Sequence, residues 1–520
     1  MSGAPSHSTV ETRGLDPVPD GERTGRVRAL FPTWAGANIT VLLVTVGAGF
    51  VVSDGLALWQ VLVVAAVAPA LSFGIVGLIS LAGKRGGAPG MALSRAVFGQ
   101  RGNLLPGALI WLARCGWEIA NAVTGAYALL TVARLLAGVR GGALLDVAAL
   151  VVFVAASCLV SAFGILALRG CARGASYLFA AFSVAVFAYL AGHADWSAVL
   201  GRRAGSPAAV VAAVGTLAGG GLSWAATGPD LTRYLPREVR GRAVVARTAG
   251  GALVVTVPLL AMGAVLAAGA PGLAATSDPV AFIGRLLPTW LAVPYLVTAL
   301  AGMVLINSLS MYSAAFMAQA VGIRVSRTRA VALNAIASVV LGAALMLLAA
   351  SFLDAFLSFL SLLGVAFAAW AGVFGADMAT RRRYDPAALA ARGPGGGYWY
   401  RAGFAPSAVG AWGAALAVGA LFTRVEWFTG PLASTWVGRG GLGWVATILT
   451  GAGLYAVLPR ARPADRDGGG GTGTAPGAGR AAAPGTASGA REGTRRRRAR
   501  RAAAAGVRRP GPGQVSAGAG

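Results

Sequence analysis

The sequence predicts an all-α, multi-pass membrane protein, and three observations carry that expectation. Long apolar segments follow one another from residue 30 to residue 458, with apolar residues making up 56% of the chain and charged residues 12%. A helix needs about 20 apolar residues to cross the hydrocarbon layer. Arginine crowds into every second gap between these segments, and two of them are interrupted by small residues, near Gly36-Ala37-Asn38 and Gly219-Gly220-Gly221. A soluble helix carries one apolar stripe, whereas these are apolar all round, which sets aside a large soluble α protein.

The segments give about twelve candidate spans. The first runs over 30–52 and contains the Gly-Ala-Asn interruption; the second, 57–82, ends at Lys84 and Arg85. The third, 104–130, carries a polar run from Arg114 to Asn121. The fourth and fifth, 144–168 and 174–192, flank Arg169 and Arg173. The sixth, 207–227, holds the triple glycine, and the seventh, 245–269, follows an arginine-rich gap. The eighth, 289–320, contains Asn307 to Ser313; 330–350, 352–376, 405–423 and 436–458 complete the set.

The formal charge of +26 suggests nucleic acid until its placement is considered. With the N-terminus inside, the inner gaps hold Lys84, Arg85, Arg95, Arg101, Arg169, Arg173, Arg233, Arg237, Arg240, Arg242, Arg247, Arg324, Arg327, Arg329, Arg381, Arg382, Arg383, Arg392 and Arg401. The outer gaps hold Arg140, Arg202, Arg203, Arg285, Arg424 and Arg439, a roughly threefold bias that follows the positive-inside rule. This predicts a plasma (inner) membrane protein with both termini cytoplasmic. Residues 1–28 read as a disordered cytoplasmic arm without a signal peptide, 29–460 as the membrane body and 461–520 as a disordered basic tail. The tail contains Arg495-Arg496-Arg497-Arg498, which can contact anionic lipid headgroups; no aromatic residues interleave with it, so no nucleic acid is expected as a partner. The two breaks fall at matching places if 29–192 and 207–376 are repeats and 405–458 adds two helices.

Within the first break, Gly36, Asn38 and Ile39 lie where an opened turn frees carbonyl oxygens that can hold a cation. In the third span Trp117 and Asn121 are four apart and share a helix face, so an indole and a carboxamide can stack on a flat heterocycle and read its edge. Arg114 and Glu118 are also four apart, on another face. An ion pair is expected there because lone charges in the membrane are costly, and Glu118 is the candidate for proton coupling. Gly220 and Gly221 are expected to be unwound, with backbone amides and carbonyls free for a substrate. Asp230 reads as a solvated boundary partner of Arg233, and Asn307 and Ser310 can face one cavity.

At these residues the chain resembles the nucleobase–cation symporter-1 family, the purine–cytosine permeases with their hydantoin and allantoin relatives. The matching pieces, in the family's order, are Trp34 to Asn38, Gly90 to Gly99, Arg101 to Pro106 running into Trp117 and Asn121, and Ser223-Trp224 with Pro229 to Pro236. Asn307 to Ser313, Asp377 with Arg381 to Tyr384, and Gly397 to Tyr400 follow. The resemblance implies a five-plus-five inverted repeat of the amino acid–polyamine–organocation superfamily type with two added helices. It implies Trp117 as stacking aromatic, Asn121 and Asn307 as polar partners, Gly220 and Gly221 as unwound backbone, and Gly36 and Ile39 as carbonyl positions of a possible sodium site. Relatives carry a second aromatic directly after the glycine pair; here Gly221 stands there, and Trp224, a turn later, is kept as a substrate-binding candidate with a two-sided sandwich not expected. Leu305 and Ile306 stand where sodium-coupled members have hydroxyls, which favours H+ over Na+ as the coupling ion.

The expected function is cation-coupled import of a nucleobase or related planar nitrogen heterocycle, cytosine or a purine first. Allantoin, hydantoins and pyrimidine vitamin precursors are the alternatives on the same fold. No cofactor is expected. A membrane-embedded enzyme fits poorly, since His7 and His193 lie outside span interiors and acidic residues do not cluster at metal-ligand spacing. A channel does not explain paired helix breaks.

Overall fold

A computed structural model describes residues 13–460 apart from 140, 270–271, 273–278, 349–351 and 426–427; the basic tail and the first twelve residues of the arm lie outside the described residues. The helices are α1 (Leu30–Gly36), α2 (Leu42–Val52), α3 (Leu58–Gly86), α4 (Gly90–Phe98), α5 (Leu104–Ala137), α6 (Ala143–Phe163), α7 (Ile165–His193), α8 (Trp196–Leu200), α9 (Pro207–Leu222) and α10 (Gly228–Thr232). They continue as α11 (Gly241–Gly269), α12 (Pro279–Leu286), α13 (Thr289–Ala320), α14 (Arg327–Leu348), α15 (Phe352–Thr380), α16 (Pro386–Ala390), α17 (Pro406–Phe422), α18 (Trp436–Arg439) and α19 (Gly443–Val457). A small antiparallel hairpin pairs Arg424 with Thr429. Among the described residues, seven helices are long and apolar enough to cross a membrane, and five shorter apolar helices accompany them.

Local chemistry sets the ends. Pro207, Pro386 and Pro406 stand in the first turns of α9, α16 and α17, where a missing N–H costs nothing, and Ser206 accepts from Ala209 to cap α9. Gly87 and Gly138 close α3 and α5 in the left-handed conformation. The chain turns from α6 into α7 at Gly164 alone, with φ +85°, rather than around Arg169 and Arg173, which lie in the first turns of α7. A left-handed glycine lets two helices meet with no loop between them.

α11 packs against α2 and α3, α13 against α5 and α7, and α15 against α19. Close approach explains the small residues: a side chain on Gly47 would strike the Leu260 carbonyl, and one on Gly263 would strike that of Val44. Asp377 ties α15 to its neighbours. Its carboxylate is 2.6 Å from Arg381 Nε and accepts from the Tyr455 hydroxyl at 2.8 Å, while Arg381 also donates to the Ala96 carbonyl of α4.

Residues 13–28 do not form the disordered arm expected from their polarity. Leu15, Val18 and Arg23 are buried. Val18 N–H donates to the Gly87 carbonyl and Gly25 N–H to that of Tyr234. Arg23 donates to the carbonyls of Val18 and Lys84. Backbone bonds to helix ends, which composition does not register, hold this segment.

Candidate functional site

The first break lies where the small residues placed it. α1 stops at Gly36, α2 starts at Leu42, and among the described residues the carbonyls of Ala37, Asn38 and Ile39 accept no backbone hydrogen bond. Asn38 closes the end of α1 by donating from Nδ2 to the Trp34 carbonyl at 2.8 Å. Ile39 wedges against Gly302 of α13, where any added side chain would collide with it.

The second break does not lie on the triple glycine. α9 continues through Gly219, Gly220 and Gly221 to Leu222, and the chain unwinds over Ser223–Thr227 in tight turns before α10. Two of the glycines are packing positions: a Cβ on Gly219 would lie 3.2 Å from the Trp444 ring, and one on Gly221 would strike Ser72 Oγ. Gly220 borders open space. Proline 229 explains the break, because its ring would clash with the carbonyl four residues back, at Ala225, in a continuous helix.

Arg114 of α5, 1% exposed, grips this second break. Its Nη2 donates to the Ser223 carbonyl, and its guanidinium lies 4.6 Å from the Trp224 ring centroid and 5.6 Å from that of Phe367. The expected ion pair with Glu118 is therefore not made. Glu118 is fully buried, and neither carboxylate oxygen has a hydrogen-bond partner among the described residues. A desolvated guanidinium is held by a carbonyl dipole and two ring faces instead. Trp224 also meets Trp34 edge-on at 5.8 Å, so Arg114 and Trp34 occupy its surroundings.

Asp230 is likewise not a solvated partner of Arg233. It is 1% exposed; Oδ1 accepts from Gly90 N–H at 2.8 Å and Oδ2 from the Ser313 hydroxyl at 2.5 Å. Thr227 donates to Ser313 at 3.0 Å, so α10, α4 and α13 meet at one carboxylate. The Gly90 amide opens α4 and needs an acceptor, which predicts such a group in hindsight.

These contacts fix the frame around the other candidates. Trp117, half-buried, packs with Leu42 at the start of α2 and with Ala120. Asn121 is buried one turn along the same face, and its carboxamide bonds to no described residue. α13 touches the first break at Gly302 and the second at Ser313; Asn307 and Ser310 lie between, fully buried, with Asn307 Oδ1 and Nδ2 and Ser310 Oγ all lacking partners among the described residues. A buried polar atom left so costs about 1–3 kcal/mol. The arrangement offers donors and acceptors beside an indole, which suits a flat guest carrying both.

Residues 17–440 match the family of permeases for cytosine/purines, uracil, thiamine and allantoin. The chain belongs to this permease family. A Bacillus subtilis (strain 168) protein named as a purine-cytosine permease, YxlA, is 32% identical over 122 residues, a stretch that spans 22% of this chain and 25% of that relative. Among solved structures, the permease is similar to Mhp1, a nucleobase–cation-symport-1 family transporter, in a closed conformation with bromovinylhydantoin bound. The TM-score is 0.69 and identity 22%, covering 86% of this chain and 95% of that one. Inward-facing Mhp1 gives a TM-score of 0.63 at 22% identity over 86% and 94%. MhsT in complex with L-phenylalanine gives 0.52 at 13% over 85% and 100%. The fold is thus that of a helical membrane transporter, and the family and its structural neighbours are transporters rather than enzymes.

Proposed function

We propose that this permease imports a nucleobase or related planar nitrogen heterocycle, cytosine or a purine first, by cation-coupled alternating access. The observation that carries the reading is the Trp117–Asn121 face of α5 beside the first break, together with the unpartnered polar atoms of Asn307 and Ser310 on α13. Trp117 stacks on the guest, while Asn121, Asn307 and Ser310 read its edge. Gly220, bordering open space at the end of α9, leaves room for it. Trp224 acts behind this pocket, positioned by Arg114, rather than as the second slice of a sandwich.

Twelve spans in a five-plus-five inverted repeat with two added helices, and both termini in the cytoplasm of a plasma (inner) membrane protein, complete the reading. The alternation of arginine and the two breaks support it. An external signal from a reporter fused to the C-terminus contradicts the topology.

A proton, rather than sodium, is the proposed coupling ion. The first break meets α13 through the Ile39 side chain at Gly302, which has no hydroxyl; Thr298, one turn before, spends its hydroxyl on the Pro294 and Tyr295 carbonyls. Glu118, fully buried one residue from Trp117, is the group placed to carry the proton.

The test is the thermal stability of the purified protein with cytosine, adenine, allantoin or hydantoin, in sodium or choline at constant pH. A ligand at 100 times its Kd stabilises by about 2.7 kcal/mol. Cytosine or adenine should raise the melt equally in both salts. A shift with allantoin alone overturns the substrate ranking, a shift that needs sodium overturns the proton, and no shift with any heterocycle overturns the site.

A further inference from the structure

Away from the proposed heterocycle site lies a half-open polar cavity of about 450 Å³. It lies among the N-terminal segment (Gly14 to Asp16), Arg95 of α4, Gln100 before α5, the α13–α14 connection and Arg392. This volume is in the range of small-molecule sites. Four arginines line it (Arg95, Arg324, Arg327 and Arg392) against one acid, Asp16, a balance of 4 − 1 = +3.

The arginines are held in place by neighbours that do not neutralise them. Gln100 pins the segment carrying Arg392 from both sides: its Nε2 donates to the Ala391 carbonyl at 2.9 Å, and its Oε1 accepts from Gly393 N–H at 2.9 Å. Gln319 pins the connection carrying Arg324, donating to the Val325 carbonyl at 3.0 Å. Arg327 is fixed by the Ser161 and Ala162 carbonyls at 3.1 and 2.7 Å. Among the described residues, the side chains of Arg95, Arg324 and Arg392 make no hydrogen bond or direct ion pair, although the Asp16 carboxylate is near enough to act on Arg95. Burial, reinforced by the like charge of Arg392, pulls the Arg95 guanidinium down to about 10. The cavity also faces the start of α14, a 22-residue helix whose first turn is capped by Ser326 and whose dipole is positive at that end.

We propose that this cavity binds a phosphate-bearing anion, either a soluble phosphate or the headgroup of an anionic phospholipid. The guanidinium fork matches phosphate oxygens two at a time, and a lining of four arginines against one carboxylate beside a helix start suits a dianion. An anion there bridges the N-terminal segment, α4 and the α13–α14 connection.

The experiment uses the full-length purified protein. In neutral detergent, its melt is followed in inorganic phosphate and in chloride at equal ionic strength. In nanodiscs, phosphatidylglycerol is compared with phosphatidylcholine. Arg392→Gln and Arg324→Gln, both at exposed positions, serve beside Arg95→Gln, so that a folding defect at the part-buried position does not decide the outcome. Stabilisation by phosphate, with each variant weakening its apparent Kd by about tenfold or more, supports a soluble ligand. Stabilisation by phosphatidylglycerol alone, lost in the variants, supports the headgroup. No stabilisation by either probe, or stabilisation unchanged in all three variants, overturns the proposal.

Discussion

Replacing Asp230 by alanine removes two hydrogen bonds to a buried carboxylate at once. Oδ1 accepts from Gly90 N–H at 2.8 Å and Oδ2 from Ser313 Oγ at 2.5 Å, with the residue 1% exposed. A hydrogen bond to a charged group contributes about 1.5–3 kcal/mol, so the pair contributes about 3–6 kcal/mol. Asp230→Asn keeps the shape and can still accept from Gly90 while donating to Ser313. Two neutral bonds return about 1–3 kcal/mol, leaving a loss of about 2–3 kcal/mol. Ser313→Ala removes its bond to the carboxylate together with the neutral one it accepts from Thr227, and should cost about 2–4.5 kcal/mol. Denaturant titration of the purified protein measures the order Ala above Asn at position 230. Hydrogen exchange adds a local readout: the α4 amides from Gly90 onward should exchange faster in Asp230→Ala, while α17 and α19 keep their protection. An Asp230→Ala protein within about 0.5 kcal/mol of the parent, with α4 protected as before, refutes the reasoning.

Trp117→Ala should weaken heterocycle binding by about 1–3 kcal/mol, a Kd some 5- to 150-fold higher by calorimetry, with Trp117→Phe recovering part of the loss. Glu118→Gln should flatten the dependence of uptake on external pH in proteoliposomes; an unchanged profile removes Glu118 from coupling. Asp377→Ala leaves Arg381 without its partner and should destabilise by about 3–5 kcal/mol, read from the same denaturant titrations. Gly302→Val should push Ile39 out of its seat, costing about 1–3 kcal/mol in the melt and slowing uptake.

The membrane-spanning character was legible because seven of the apolar segments form helices long enough to cross, and the span expected over 289–320 has the bounds of α13. The first break was legible too, since Gly36, Ala37 and Asn38 offer little to hold a helix together. The second was misplaced for an instructive reason. A glycine costs a helix about 1 kcal/mol against alanine, but at Gly219 and Gly221 the absent side chains admit Trp444 and Ser72, and packing overrides propensity. The stronger signal was Pro229, whose effect falls on Ala225, four residues before it. Spacing placed Arg114 and Glu118 four apart, but it does not register Ser223, more than a hundred residues away, whose carbonyl takes the guanidinium. Residue types therefore marked Arg114 and Glu118 without marking what holds them.

Arg114 turns the α9–α10 junction into a detent. Drawing α10 away from α5 means pulling a desolvated guanidinium off the Ser223 carbonyl and off the Trp224 ring. With about 1.5–3 kcal/mol for the first and about 2 kcal/mol for the second, the step resists by about 3.5–5 kcal/mol. Relative to an unclamped junction, that slows the motion by a factor of several hundred to several thousand. A helix joint of this kind does not drift between positions; it clicks. On the proposed alternating-access reading, turnover should rise more steeply on warming than solute binding does.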